Sequence, residues 1–300
     1  LGWYEMMRGN LHKGHRCLNR GRHENVFGTP NISSPKPLWA GQRNCKVLVE
    51  LEGGIGDRLY SMRYINNLVS EYGCEVVVGG HDSLIPIMRQ VEGVTAIVAH
   101  EGAQYVDCDF WVPSMSIEVP LGLEFSDVSG KPYIPRLCEP EGKAGIKWSG
   151  NPKFEHEQHR LFPSELMFDA VKDEECISLQ KDDTQDIPDW MGKPSLDTWT
   201  DTQTAISKCD LVITSCTGVA HLAGAMGVET WIVVPILPYY LWALPGNTTP
   251  HYDSVTLYRQ VEYGNWEAPF KQIKKDLITR RIKGWPVPVA GGTTEQFIEA

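Results

Sequence analysis

The sequence predicts an α/β protein built of two doubly wound halves, on three observations. Short apolar runs rich in β-branched residues, the kind that a parallel sheet buries on both faces, alternate with helical periodicities along most of the chain. A segment with three prolines and a glycine, residues 131–142, interrupts that alternation, after which it starts again. The stretch 210–235 reads as strand, tight turn, short helix and strand, in the order of a ligand-binding βαβ unit.

Taken in order, residues 1–44 are rich in Arg, His, Asn, Gly and Pro behind a short segment at 2–8, long enough for one or two helical turns. They read as an appendage outside the core. The chain begins at Leu1, so an upstream part is expected. From Cys45 the pattern changes: residues 46–51 form a strand, 53–57 a glycine-rich turn, and 58–72 a helix with Leu59, Met62, Ile65 and Leu68 on one face. Strands at 74–78 and 95–98 flank a helix over 83–91 that Ser83 caps, the sheet continues at 109–112, and an apolar segment at 115–123 flanks the cleft between the halves. This spacing implies a Rossmann-like N-terminal domain over 45–138, with the hinge in the proline segment. A second domain, 139–272, repeats the scheme with strands at 144–148 and 176–179, a turn at 149–152, and helices over 163–171 and 200–208 before the unit at 210–235. A loop of Pro, Tyr, Trp and Gly at 235–250, a strand at 254–258 and a helix over 267–282 follow, leading into the C-terminal helix and tail, 273–300.

The unit at 210–235 carries the strongest functional signal. Leu211, Val212 and Ile213 form one buried strand and residues 230–234 the next. Thr217 caps the helix between them, Gly218 lets the backbone approach a bound group, and 219–226 is a small-residue helix that Gly227 ends. A helix that starts at the carboxyl end of a buried strand turns unpaired backbone N–H groups and the positive end of its dipole to the crevice. That makes an anion site, most often for phosphate. The plainer reading is that Ala220, Ala223, Gly224 and Ala225 only allow close helix packing. His221, one turn in, either reaches the ligand or satisfies a backbone carbonyl.

Three hundred residues at 42% hydrophobic and 22% charged make an ordinary soluble composition, with length for two medium domains. A net charge of -10 argues against nucleic acid as the main partner, since phosphate backbones demand clustered Lys and Arg. No window reaches the ~18 uninterrupted apolar residues of a membrane span, and no charged-then-apolar leader opens the chain. The expectation is a cytoplasmic protein, with peripheral membrane association left open. Eight cysteines stand singly without CxxC or Cys/His spacing and read as reduced thiols. His156 and His159 lack a third ligand, so no metal is expected.

Two doubly wound halves put a cleft between the carboxyl ends of two sheets. Asp57 stands at a helix N-terminus, on a loop that Gly54 and Gly56 allow into that cleft, where a carboxylate can accept a proton from an incoming hydroxyl. Alternatively it only complements the helix dipole. The turn at 53–56 is half of a dinucleotide fingerprint without the GxGxxG spacing. Residues 148–153, with His159 and Arg160, form a strand end and a polar loop that bring Lys153 and Arg160 to an anion; the planar fork of Arg suits a diphosphate.

These residues together resemble a known family. Gly54-Ile-Gly-Asp57 after the first strand, Ile146-Lys-Trp-Ser-Gly-Asn-Pro152 with Arg160, Ser178-Leu-Gln180, and the run from Leu211 to Gly227 are similar to the glycosyltransferases related to ADP-heptose:lipopolysaccharide heptosyltransferases, glycosyltransferase family 9. The variant usually found behind tetratricopeptide repeats is the nearest in pattern: Tyr258-Arg-Gln260 and Gly264-Asn-Trp266 fit it, and Gly2-Trp-Tyr-Glu5 looks like the remnant of its last repeat. The resemblance covers roughly residues 40–280. It implies the GT-B architecture, with the acceptor on the N-terminal side and a nucleotide-sugar donor on the C-terminal side. It also implies inverting transfer without a metal or other cofactor, to a glycan, lipid-linked or protein hydroxyl in surface polysaccharide or glycan synthesis. Asp57 would then be the general base beside the acceptor-side loop of Gly54 and Gly56. The amides around Thr217, Gly218 and Val219, with Arg160, would offset charge on the departing diphosphate, and His221 would lie close to the donor. One residue departs from the pattern: where the family usually has an acidic residue before the Thr, this chain has Cys216, and a thiol accepts hydrogen bonds weakly. A catalytically silent nucleotide- or sugar-binding module with the same fold is therefore the second expectation, and a dinucleotide-dependent dehydrogenase the third.

Overall fold

The computed structural model describes residues 1–24, 26, 28, 34–152, 157–181 and 187–283. Two short helices, α1 (Gly2–Met7) and α2 (Leu11–Gly21), precede the first sheet. That sheet holds β1 (Lys46–Glu50), β2 (Glu75–Gly80), β3 (Val94–Ala99) and β4 (Phe110–Pro113), all parallel, in the order β3-β2-β1-β4. Helices α3 (Ile55–Ser61), α4 (Ile65–Ser70), α5 (Ile85–Met88) and α6 (Glu118–Leu121) connect and flank these strands. The second sheet is also parallel: β5 (Lys143–Lys147), β6 (Cys176–Ser178), β7 (Cys209–Ser215), β8 (Glu229–Val234) and β9 (Val255–Arg259), in the order β6-β5-β7-β8-β9. Its helices are α7 (Glu157–Arg160), α8 (Ser164–Val171), α9 (Trp199–Ser207), α10 (Gly218–Ala225) and α11 (Glu267–Lys283).

The strand orders place the site. In the first sheet the chain leaves β1 toward β2 and returns on its other side as β4; in the second it leaves β5 toward β6 and returns as β7. Ligands of open α/β sheets bind outside the carboxyl ends of strands where the order reverses in this way. Those ends carry the 53–57 turn in one half and the 148–150 and 216–218 turns in the other.

Each strand forms as its composition dictates. All seven residues of β7 are buried, as a central parallel strand requires. The helix expected over 58–72 begins earlier and is broken. Gly54 supplies the N-cap position, and the Asp57 carboxylate accepts the Gly54 N–H at 2.9 Å. At residues Met62–Tyr64 the helix tightens to a 3-10 turn, where Arg63 Nε takes the Tyr60 carbonyl at 3.1 Å. The helix expected over 83–91 is shorter too, a 3-10 turn (Asp82–Leu84) leading into α5, and its cap is His81 rather than Ser83: His81 Nδ1 accepts the Ser83 N–H at 3.3 Å.

The N-terminal segment is not the detached appendage its composition suggests. Met6, Leu11 and Trp39 belong to the apolar cluster that contains Val47 and Val49 of β1. Helix α2 is short of apolar side chains, and it packs instead through Gly14, where a Cβ would stand 2.4 Å from Met6 Cγ. Arg22 then holds the Glu52 carboxylate by two bonds of 2.6 and 2.7 Å.

One core runs through both halves, joining Val47 and Leu59 to Val212, Ala220 and Leu222. The proline segment lies against α10, where Tyr133 and Ile134 donate their N–H groups to the Ala225 carbonyl at 2.9 and 3.1 Å. Arg63 sits buried at this junction, over the rings of Tyr60 and Tyr252 at 4.5 Å each, and donates to the His251 carbonyl at 2.6 Å. All eight cysteines are free thiols. Among the described residues no helix is long and apolar enough to cross a membrane.

Because Leu11 is buried in the shared core, Leu11→Ala should cost about 2–5 kcal/mol in urea unfolding. A loss within ~0.5 kcal/mol, the usual effect of a surface change, would return residues 1–24 to the status of an appendage.

Candidate active site

A cleft of about 950 Å³ opens between the two halves. Asp57, Gly54, Gly56, Asp82 and Ser83 line it from the first half; Lys147, Arg160, Lys181, Cys216, Thr217, Gly218 and His221 line it from the second. This volume is within the range of small-molecule sites.

Two helix N-termini meet in it. Helices α3 and α10 approach so closely that a Cβ on Gly56 would stand 2.7 Å from His221 Cδ2, and one on Gly218 would stand 3.4 Å from Ile55 Cγ2 and 3.6 Å from the Gly56 nitrogen. Only glycine permits that approach at residue 56. Thr217 occupies the N-cap position of α10 but makes no side-chain cap bond, contrary to the sequence expectation. Its hydroxyl lies 3.3 Å from that of Thr214 instead. The first-turn amides of α10 are thus not capped by a side chain, the condition under which a helix N-terminus takes an anion.

Asp57 is half-buried with both carboxylate oxygens engaged. Oδ2 accepts the Gly54 N–H at 2.9 Å, and Oδ1 accepts the Tyr239 hydroxyl at 2.7 Å. Burial raises its pKa above the ordinary carboxylate value; the bonds from Tyr239 and Gly54 oppose that rise. A carboxylate so placed is a proton acceptor with lone pairs still in hand.

Arg160 reaches the 216–218 turn. Its Nη1 donates to the Cys216 carbonyl, and its Nε donates to Glu157 Oε2 at 2.5 Å. Glu157 Oε1 accepts the Gly150 N–H at 2.7 Å, so one carboxylate and one guanidinium tie the ends of β5 and β7 together. Lys153 and His156 lie outside the described residues. His159 lines the cleft.

Two cations escaped the sequence reading. Lys147 is the buried last residue of β5, with Nζ 3.4 Å from Gln180 Oε1, and Lys181 donates to the Asp197 carbonyl at 3.0 Å. The signal for Lys147 was positional: a lysine ending a buried strand at the reversal point has nowhere to go but the crevice. Lys181 gave none.

The Cys216 sulfur is engaged within the protein. Burial raises the thiol pKa, and Sγ accepts the Trp242 indole N–H at 2.7 Å. His221 lines the cleft, and its partner is a side chain rather than a backbone carbonyl: Nδ1 pairs with the Tyr252 hydroxyl at 3.0 Å and the ring stacks on Trp242 at 5.1 Å.

No family model and no curated protein matches this sequence. Solved structures do match its fold. The glycosyl transferase family 9 structure from Veillonella parvula DSM 2008 aligns with a TM-score of 0.60 at 9% identity, covering 81% of this chain and 97% of that one. The E. coli ADP-heptose lps heptosyltransferase II aligns at 0.53 and 11% identity, covering 80% and 99%. The E. coli heptosyltransferase WaaC, solved with ADP, aligns at 0.51 and 11%, also over 80% and 99%. The fold is GT-B.

Within this GT-B frame the sheet of Asp57 is the N-terminal one and the α10 turn belongs to the C-terminal one. His221, at their contact, has its pKa pushed down to about 3, by burial first and then by Arg63 and Arg160. The unfolded imidazole protonates near 6.5, so this contribution to stability is complete above that pH and is lost as pH falls toward 3, by about 1.4 kcal/mol per unit. Glu118, raised to about 8 by burial, contributes with the opposite sign, present below 4.5 and lost as pH rises through 8. His221→Asn leaves Glu118 in place. Urea unfolding between pH 4.5 and 6 should therefore show a slope about 1.4 kcal/mol per pH unit smaller in the variant; equal slopes would mean that His221 is not held neutral.

Proposed function

We propose that the protein is a glycosyltransferase that moves a sugar from a nucleotide-diphosphate donor to a hydroxyl acceptor with inversion. One observation carries this reading: a carboxylate from one half and a helix N-terminus without a side-chain cap from the other face the same cleft. An acceptor hydroxyl beside Asp57 loses its proton to the carboxylate as its oxygen attacks the anomeric carbon. The bond from that carbon to the diphosphate breaks on the opposite face. Negative charge then grows on the diphosphate, and the first-turn amides of α10, with Arg160, Lys147 and Lys181 around the cleft, offset it. No step in this scheme needs a metal. The neighbour solved with ADP supports a nucleoside diphosphate as the leaving group. Peripheral membrane association and a cytoplasmic setting fit an acceptor in surface glycan synthesis and belong to the same proposal.

A second reading, binding without turnover, draws on Cys216, whose sulfur turns to Trp242 where the resembled family has a carboxylate. The two readings part on Asp57→Asn. Over a panel of ADP-, GDP-, UDP- and CDP-sugars, the transferase reading expects donor turnover that falls about 10²- to 10⁴-fold in the variant, with nucleotide binding retained. Unchanged turnover in Asp57→Asn would remove the base assignment, and binding without any turnover in the parent protein would favour the silent module.

A further inference from the structure

The loop after β8 crosses to the other half of the molecule. Tyr239, on that loop, donates to Asp57 Oδ1 at 2.7 Å, and this bond spans the cleft. The loop itself is anchored at the donor side. Trp242 donates its indole N–H to Cys216 Sγ at 2.7 Å, and Arg259 holds the Trp242 and Leu244 carbonyls at 2.9 and 2.6 Å. Gln260 Oε1 accepts the Ile236 N–H at 3.1 Å. The Tyr239 ring packs on Tyr240 at 4.5 Å and meets the edge of Trp3 from α1 at 6.1 Å. Cys216, Trp242, Tyr239 and Asp57 thus form one continuous line from the donor turn to the acceptor-side carboxylate.

We propose that Tyr239 is the positioning residue of Asp57, fixing the carboxylate from the opposite half of the cleft. This rests on reading Asp57 as the base. The geometry leaves room for the role. A carboxylate has about four acceptor sites, and Gly54 and Tyr239 use one on each oxygen, so an incoming hydroxyl finds a lone pair on an oxygen that cannot swing away. A phenol donates more strongly to the carboxylate than to the neutral acid, so it favours ionisation where burial opposes it. The other groups around Asp57 are Glu52 at the end of the first strand, Arg58 beside it on α3, Tyr240 on the loop, and Cys216 and His221 on the donor turn. Among the described residues, Tyr239 is the side chain that donates a hydrogen to the carboxylate. The Cys216 thiol gains a role by the same line, as the acceptor that seats Trp242 and with it the loop.

The test is Tyr239→Phe in the full chain, which keeps the ring and removes the donor. The carboxyl carbon of Asp57 is followed by pH titration of ¹³C-aspartate-labelled protein, its resonance assigned by its loss in Asp57→Asn. We expect Asp57 to titrate about one pH unit higher in Tyr239→Phe, and the acidic limb of nucleotide-sugar turnover to move by the same amount. An Asp57 titration unchanged by the substitution overturns the proposal, as does a titration that moves while the turnover limb stays. Failure of the base reading looks different: Asp57→Asn then turns over normally, whatever Tyr239→Phe does to the titration.

Discussion

The structure depends on the close approach of two helix N-termini, those of α3 and α10, from opposite halves of the molecule. Each carries roughly half a positive charge, and bringing two together in one cleft is costly unless something negative lies between or beside them. Asp57 answers part of that need from within α3. The proposed diphosphate would answer the rest. Gly56 makes the approach sterically allowed, because a side chain there would meet His221.

Around that contact the polar groups are buried but organised. Arg63 is held among Tyr60, Tyr133 and Tyr252 and bonds the His251 carbonyl, so a guanidinium sits in the shared core with its charge spread over aromatic faces and a carbonyl. His221 and His15 are each pushed down to about 3 by burial and stay neutral at physiological pH. The junction between the halves therefore holds neutral buried imidazoles, and their contribution to stability is lost as pH falls below 6.5.

Most of the fold was legible because parallel strands are buried on both faces and read as plain apolar runs: residues 46–51, 74–78 and 211–213 mark three observed strands with small errors at the ends. Of the candidate site, Asp57 and the 217–219 turn were legible for a similar reason, since glycine turns after such strands have few conformations; Arg160, on α7, was legible only as a cation in the polar loop after β5. What was hidden depends on tertiary contact. Helix α2 has a weak apolar pattern and is held by glycine packing and by the buried His15. Thr217 has the right chemistry for a cap and spends it on Thr214. Tyr239 lies in a loop whose composition says only that it is irregular, and its partner is far away in sequence.

The account stands or falls on whether the α10 turn binds a nucleoside diphosphate. Calorimetric titration with ADP, GDP, UDP and CDP, beside a Gly218→Asp variant that places a carboxylate at the first residue of α10, measures this directly. The account predicts selective binding of one nucleotide, lost in the variant while its thermal unfolding remains cooperative. Absence of binding by all four, or equal binding by the variant, would contradict it.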